Sequence, residues 1–148
     1  MTSTHTEPIK RIVVGVDGSP YSTAALDWAA HQAELTGSTL ELVAAWEWPM
    51  TYGAPIALPP DYDPAADARR VLDDAARTVH DLHPGIDLRT VALEGHPAPI
   101  LVRASRGAEL LVVGCRGHGE FLGMVLGSVS EHCVTNADCP VLVLRGKE

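Results

Sequence analysis

The sequence predicts an α/β domain built on an open, five-stranded parallel sheet, with four helices shared between its two faces. Three observations carry this. Five short β-rich runs alternate with four helical runs along the chain, which is the pattern of parallel strands joined by right-handed crossovers. The first and fourth runs, Ile-Val-Val-Gly-Val and Leu-Leu-Val-Val-Gly, are almost continuously apolar, as strands covered on both faces are. Two of the helices open on a cap residue followed by proline, Ser19-Pro20 and Asp63-Pro64, where a fixed φ and a missing N–H cost nothing.

Each element follows from its own residues. The first strand, 12–16, stops at Asp17-Gly18-Ser19-Pro20, and Ser22, Ala25, Leu26, Ala29, Ala30 and Ala33 then form the inward stripe of a helix that Gly37 ends. The second strand is Thr39–Trp46, with Leu40, Leu42 and Ala44 on one face. The stretch 47–63 holds Pro49, Pro55, Pro59 and Pro60 and no sustained period, so it reads as a long loop, either a lid or a mobile excursion. Ala68, Leu72, Ala75, Val79 and Leu82 define an amphipathic second helix up to Pro84-Gly85. The run 87–93 is shorter and more polar and is expected at the sheet edge. Pro97, Ile100, Leu101 and Ala104 make a short third helix ending at Gly107, 109–114 is the fourth strand, and a fourth helix runs from about Ser128 to Asn136. The fifth strand is 139–144, with Pro140 tolerated at its start.

Composition bounds the function. A chain of 148 residues, 46% hydrophobic and 20% charged, has the length to bury one core; residues 1–9 are expected to form a disordered tail and 10–148 a single domain. A net charge of -8 argues against nucleic acid or an anionic membrane as partner, since both need an excess of Lys and Arg. Cys115, Cys133 and Cys139 have neither metal spacing nor the even number of a disulfide framework, and there is no apolar leader or span, so a reducing cytoplasm is expected.

The chemistry is expected at 110–129, Leu-Leu-Val-Val-Gly-Cys-Arg-Gly-His-Gly-Glu-Phe-Leu-Gly-Met-Val-Leu-Gly-Ser-Val. A buried strand, a glycine loop and a helix start follow one another, which is the layout of a phosphate site: main-chain N–H groups approach an anion at the positive end of a helix. In such sheets ligands bind beyond the carboxyl ends of strands where the strand order reverses. Asp17, ending the first strand, and Gly114, ending the fourth, would face one crevice.

Gly114-x-x-Gly117, nine residues, then Gly127-Ser128 resembles the Gly-2x-Gly-9x-Gly-Ser/Thr signature of the universal stress protein family, in its nucleotide-binding branch. The opening Ile-Val-Val-Gly-Val-Asp-Gly-Ser, the Ala-Leu-x-Trp-Ala of the first helix and the closing Cys-Pro-Val-Leu-Val are similar too, over 10–145. The resemblance implies a Rossmann-like sheet of strand order 3-2-1-4-5 and a stress-response module that binds ATP or another adenine nucleotide. It implies phosphates over Gly117, Gly127, Ser128 and Ser130, a close approach of the ribose at Gly114, Asp17 on the sugar hydroxyls, and the main chain near Ala45 on the adenine edge. A magnesium ion bridging the phosphates is implied without a dedicated protein cage. So is a homodimer that pairs the last strands, here Val141–Leu144.

Bland readings stand beside these. Asp17 also suits a cap of the turn it precedes. Cys115 stands where the family often has Ser and suits a buried small apolar residue. Arg116 and His118 could contact phosphates from the same loop, but as loop cations they are expected to be solvated. Glu120 would oppose a triphosphate unless turned outward or toward a metal, which leaves the phosphate count open. His80 and His83 read as a surface pair rather than metal ligands. The Gly-x-Ser-x-Gly elbow and the lysine loop of nucleotide hydrolases are absent, so binding without efficient turnover is expected. A slow magnesium-dependent ATP hydrolase, or a module preferring AMP or cyclic AMP, is the alternative.

Overall fold

The computed structural model describes residues 9–51, 53–55, 57–117 and 126–145. The tail 1–8, His118 and Glu120 lie outside the described residues. The elements are, in order, β1 (Arg11–Gly15), α1 (Pro20–Thr36), β2 (Thr39–Trp46), β3 (Met50–Thr51), β4 (Ala54–Pro55), α2 (Pro64–Leu82), β5 (Leu88–Glu94), α3 (Pro97–Ala104), β6 (Leu110–Gly114), α4 (Ser128–Asn136) and β7 (Val141–Leu144). The main sheet runs β5-β2-β1-β6-β7 with every pair parallel. This is the expected order 3-2-1-4-5, with the polar β5 at one edge and β7 at the other.

Period-two alternation divides the core between the two faces of the sheet. Ile12 and Val14 of β1 and Leu40 and Leu42 of β2 point to the face covered by α1 and α2, where they meet Ala25, Ala29, Leu72 and Val79. Val13, Val43, Leu111 and Val113 point to the opposite face and meet Ile100, Leu101 and Cys133 of α3 and α4. Ala25, Ala29, Ala30 and Ala33 of α1 are almost wholly buried, which brings this helix close to the sheet.

Local signals set the helix ends. Ser19 caps α1 by accepting from the Ser22 N–H at 3.2 Å, and Gly37 ends it at φ 68°, in the left-handed region that a side chain disfavours. Asp63 caps α2 through the Ala66 N–H at 3.1 Å.

Two sequence expectations change. The segment 47–63 is not wholly irregular, because β3 and β4 pair antiparallel around Gly53, and the Trp48 ring meets Trp46 edge-on at 6.3 Å and Tyr62 at 6.1 Å. Two-residue strands are too short to leave a period. His83 is not a free surface residue either. It ends α2, its Nδ1 donates to Glu34 of α1 at 2.6 Å, and its side chain is only 14% exposed. Among the described residues no group of three or more His, Cys, Asp or Glu could hold a metal ion, and no helix is long and apolar enough to cross a membrane.

Candidate functional site

β1 pairs with β2 on one side and β6 on the other. The crossovers through α1 and α2 leave toward one face and those through α3 and α4 toward the other, so the chain ends beyond β1 and β6 part and leave a crevice. It encloses about 640 Å³ of atom-free space, part of it open to solvent. Asp17, Ala45, Gly114, Gly117, Gly127 and Ser130 all line it. Ser128, the first residue of α4, is exposed and is not part of this lining.

Asp17 caps the turn it precedes and lines the crevice. Its Oδ1 accepts from the Ser19 N–H at 2.8 Å, fixing the turn into α1, and its Oδ2 faces Gly117, where an added Cβ would lie 2.9 Å away. The main-chain N–H of Asp17 donates to Ser22 Oγ at 3.2 Å, so strand end, turn and first helical turn form one hydrogen-bonded unit.

Ala45 owes its place to register. β1 pairs with β2 only as far as Gly15 opposite Val43, while β2 continues beside β5 to Trp46. The Val43 carbonyl accepts from Val16 on the β1 side and the Trp46 carbonyl from Gly95 on the β5 side. Main-chain direction alternates along a strand, so the N–H and C=O of Ala45 turn to the β1 side, beyond the last pairing of β1 and into the crevice.

The glycines differ in their reasons. At Gly114 a Cβ would stand 2.7 to 2.8 Å from Cβ, C and O of Tyr21, so the first turn of α1 presses on the end of β6. This packing requires glycine whether or not a ligand approaches. Gly127 is the N-cap of α4 with no side-chain cap bond. Its N–H is committed to the Cys115 carbonyl at 2.6 Å. The Ser130 hydroxyl, 2% exposed, shares its proton between the carbonyls of Cys115 at 2.9 Å and Gly127 at 3.0 Å. Gly127 and Ser130 thus fasten the strand end to the helix start, and the main-chain N–H groups of the first turn of α4 supply the positive end of the helix. Cys115 is buried, as a small apolar residue would be.

Several lining residues were not singled out by the sequence. Leu101 and Pro97 of α3, with Val43, Val113 and Val129, form an apolar wall; the i, i+4 spacing of Pro97 and Leu101 was the available signal. Ser22 read as part of the helical stripe. Arg116, expected in solvent, instead lies over the Tyr21 ring at 5.2 Å and lines the crevice.

Comparison with known proteins bears on this arrangement. Residues 8–145 match the model of the universal stress protein family. The universal stress protein Rv2623 of Mycobacterium tuberculosis is 37% identical over 147 residues, which cover 93% of this chain and 48% of that protein. The chain spans about half the length of the curated relatives it matches. Among solved structures, the universal stress protein UspA from Lactobacillus plantarum shares the fold at a TM-score of 0.74 and 21% identity, covering 95% of this chain and all of that one. A universal stress protein in complex with cAMP has a TM-score of 0.71 and 26% identity, over 93% of this chain and 98% of that one. With its five-stranded parallel sheet and the crevice at its centre, this chain belongs to the universal stress protein family.

Proposed function

We propose that this chain is an adenine-nucleotide-binding regulatory domain of the stress response that binds its ligand without efficient turnover. The observation that carries the reading is the gathering, at one strand-order switch, of an α4 N-terminus with no side-chain cap, the outward main chain of Ala45 and the Asp17 carboxylate. These suit, in turn, an anion, a base edge and a sugar hydroxyl. The structural relative solved with cAMP supports the same ligand class, and the sequence resemblance favours ATP.

Among the described residues, the crevice lining holds one carboxylate, Asp17, one guanidinium, Arg116, and no histidine, lysine or cysteine thiol. That is a poor set for activating water, which is why we favour a sensor or carrier. A magnesium ion would arrive with the nucleotide, held by its phosphates. We also propose a cytoplasmic homodimer joined through β7, whose outer edge has no partner strand among the described residues.

Isothermal titration and thermal melting with ATP, AMP and cyclic AMP test the reading. Saturable binding of at least one, with a matching rise in Tm, is the expected result. A chain that none of the three binds or stabilises is not a nucleotide domain.

A further inference from the structure

Three aromatic side chains stand together beyond the end of β2, on the α2 side of the crevice. Trp46, the last residue of β2, packs against the core that α1 and α2 cover. The Trp48 ring meets it edge-on at 6.3 Å, and the Tyr62 ring meets Trp48 at 6.1 Å. Trp48 and Tyr62 are nevertheless 46% and 37% exposed, and among the described residues no other tryptophan or tyrosine is as open to solvent. Exposed rings that hold one another in place make a preorganised anchor, because little side-chain freedom remains to be lost when a partner covers them.

A groove open to solvent lies on each side of Tyr62. One is lined by Trp46, Glu47 and Asp67 and continues to Val16, Asp17 and Ala45, which also line the crevice. The other is lined by Asp61, Asp63, Asp67 and Arg70. Together the two hold five carboxylates and one guanidinium, and Arg70 is already paired with Asp67 at 3.1 Å. Asp63 also caps α2 and Glu47 faces His96 at 3.5 Å, yet the surface as a whole stays acidic.

Charge decides the occupant. An acidic surface repels a phosphate or an acidic peptide and complements a cation. Arginine suits it better than lysine, because a planar guanidinium stacks on an aromatic ring and offers a fork of donors to a carboxylate. Two open grooves that join at Tyr62 and Asp67 fit an extended chain segment, which is longer than either.

We propose that Trp48 and Tyr62, with the carboxylates around them, form a docking surface for an arginine-bearing segment of a partner protein. The arginine lies against the rings, and the residues beside it follow the grooves. A segment seated there reaches Asp17 and Ala45, so partner and crevice ligand meet at shared residues. The docking itself does not depend on what the crevice binds.

The probe is a Gly-Arg-Leu-Arg-Gly peptide, blocked at both ends and titrated into the full chain, read by calorimetry and by tryptophan fluorescence. Gly-Lys-Leu-Lys-Gly and Gly-Glu-Leu-Glu-Gly, blocked likewise, are its controls. The variants are Trp48→Ala, Tyr62→Ala and Glu109→Gln, the last an exposed carboxylate just before β6 at the opposite end of the sheet. The wild type is expected to bind the arginine peptide saturably, the lysine peptide about threefold or more weakly, and the glutamate peptide not at all. Trp48→Ala and Tyr62→Ala should each weaken the arginine peptide about tenfold, as loss of an aromatic anchor does, while Glu109→Gln leaves it within about twofold. Melting of each variant without peptide confirms that it is folded. If the wild type does not bind the arginine peptide, the proposal is wrong. If both aromatic variants bind it as the wild type does, or if the lysine peptide binds equally well, the attraction is that of the net charge of -8 and the proposal is wrong as well.

Discussion

Gly114 and Gly117 share a motif and meet different neighbours. At Gly114 the atoms an added methyl would strike are the Cβ and the backbone C and O of Tyr21, which cannot turn aside without moving α1. Gly114→Ala is therefore expected to destabilise the fold by about 1–3 kcal/mol, as overpacking does, read as a fall in the urea midpoint. At Gly117 the obstacle is the end of the Asp17 side chain, which can swing away. Gly117→Ala should cost about 0.5 kcal/mol or less in the same melt, yet weaken nucleotide binding by displacing the carboxylate. Equal loss of stability in the two variants would contradict this assignment. A buried thiol gives a second residue-scale expectation. Burial, with Cys139 close by, pushes the Cys133 thiol from 9.0 up to about 11. The unfolded chain then releases this proton before the folded one, so stability is whole below pH 9 and falls between pH 9 and about 11. Cys133→Ala should flatten that part of the pH profile in denaturant melts, whatever it costs in packing.

At the scale of elements, the parts that build the site are also the parts that build the fold. β1 and β6 show the same burial pattern, three buried residues between two half-buried ones, and they are the strands whose ends part to form the crevice. The turn from β1 into α1 is tied by Asp17, Ser19 and Ser22. The start of α4 is tied back to β6 by Gly127 and Ser130. A ligand entering there meets walls that are already fixed. β7 is different. All four of its residues are half-buried and, among the described residues, β6 is its one partner in the sheet, so the proposed dimer has an edge to use. Light scattering across micromolar concentrations should give twice the chain mass, and Val143→Pro, which removes a strand donor, should shift the mass toward the single chain. A wild-type monomer at every concentration would refute the pairing.

For the whole molecule, much of the architecture was legible because its causes are local or periodic. Ser19-Pro20, Asp63-Pro64 and Gly37 mark helix ends by their own chemistry. Alternation in β1 and β2 assigns residues to the two faces without reference to their partners. The meeting of Asp17 and Gly114 was legible too, because parallel strands joined by crossovers bring their carboxyl ends to one side. Those features the sequence determined alone. What it could not carry are contacts between distant parts of the chain. The seat of Arg116 on Tyr21 joins the loop after β6 to the start of α1. The pressure of Tyr21 on Gly114 and the use of the Ser130 hydroxyl on Cys115 arise only once β1 and β6 lie side by side. The hairpin of β3 and β4 and the contact of His83 with Glu34 depend likewise on packing rather than on pattern. Propensity and period fix which residues face inward; tertiary structure decides which of them touch, because contact depends on the distances between elements that no single element encodes. So a glycine loop readable as a phosphate cradle became, in three dimensions, one wall of a crevice in which Arg116 lies over the Tyr21 ring.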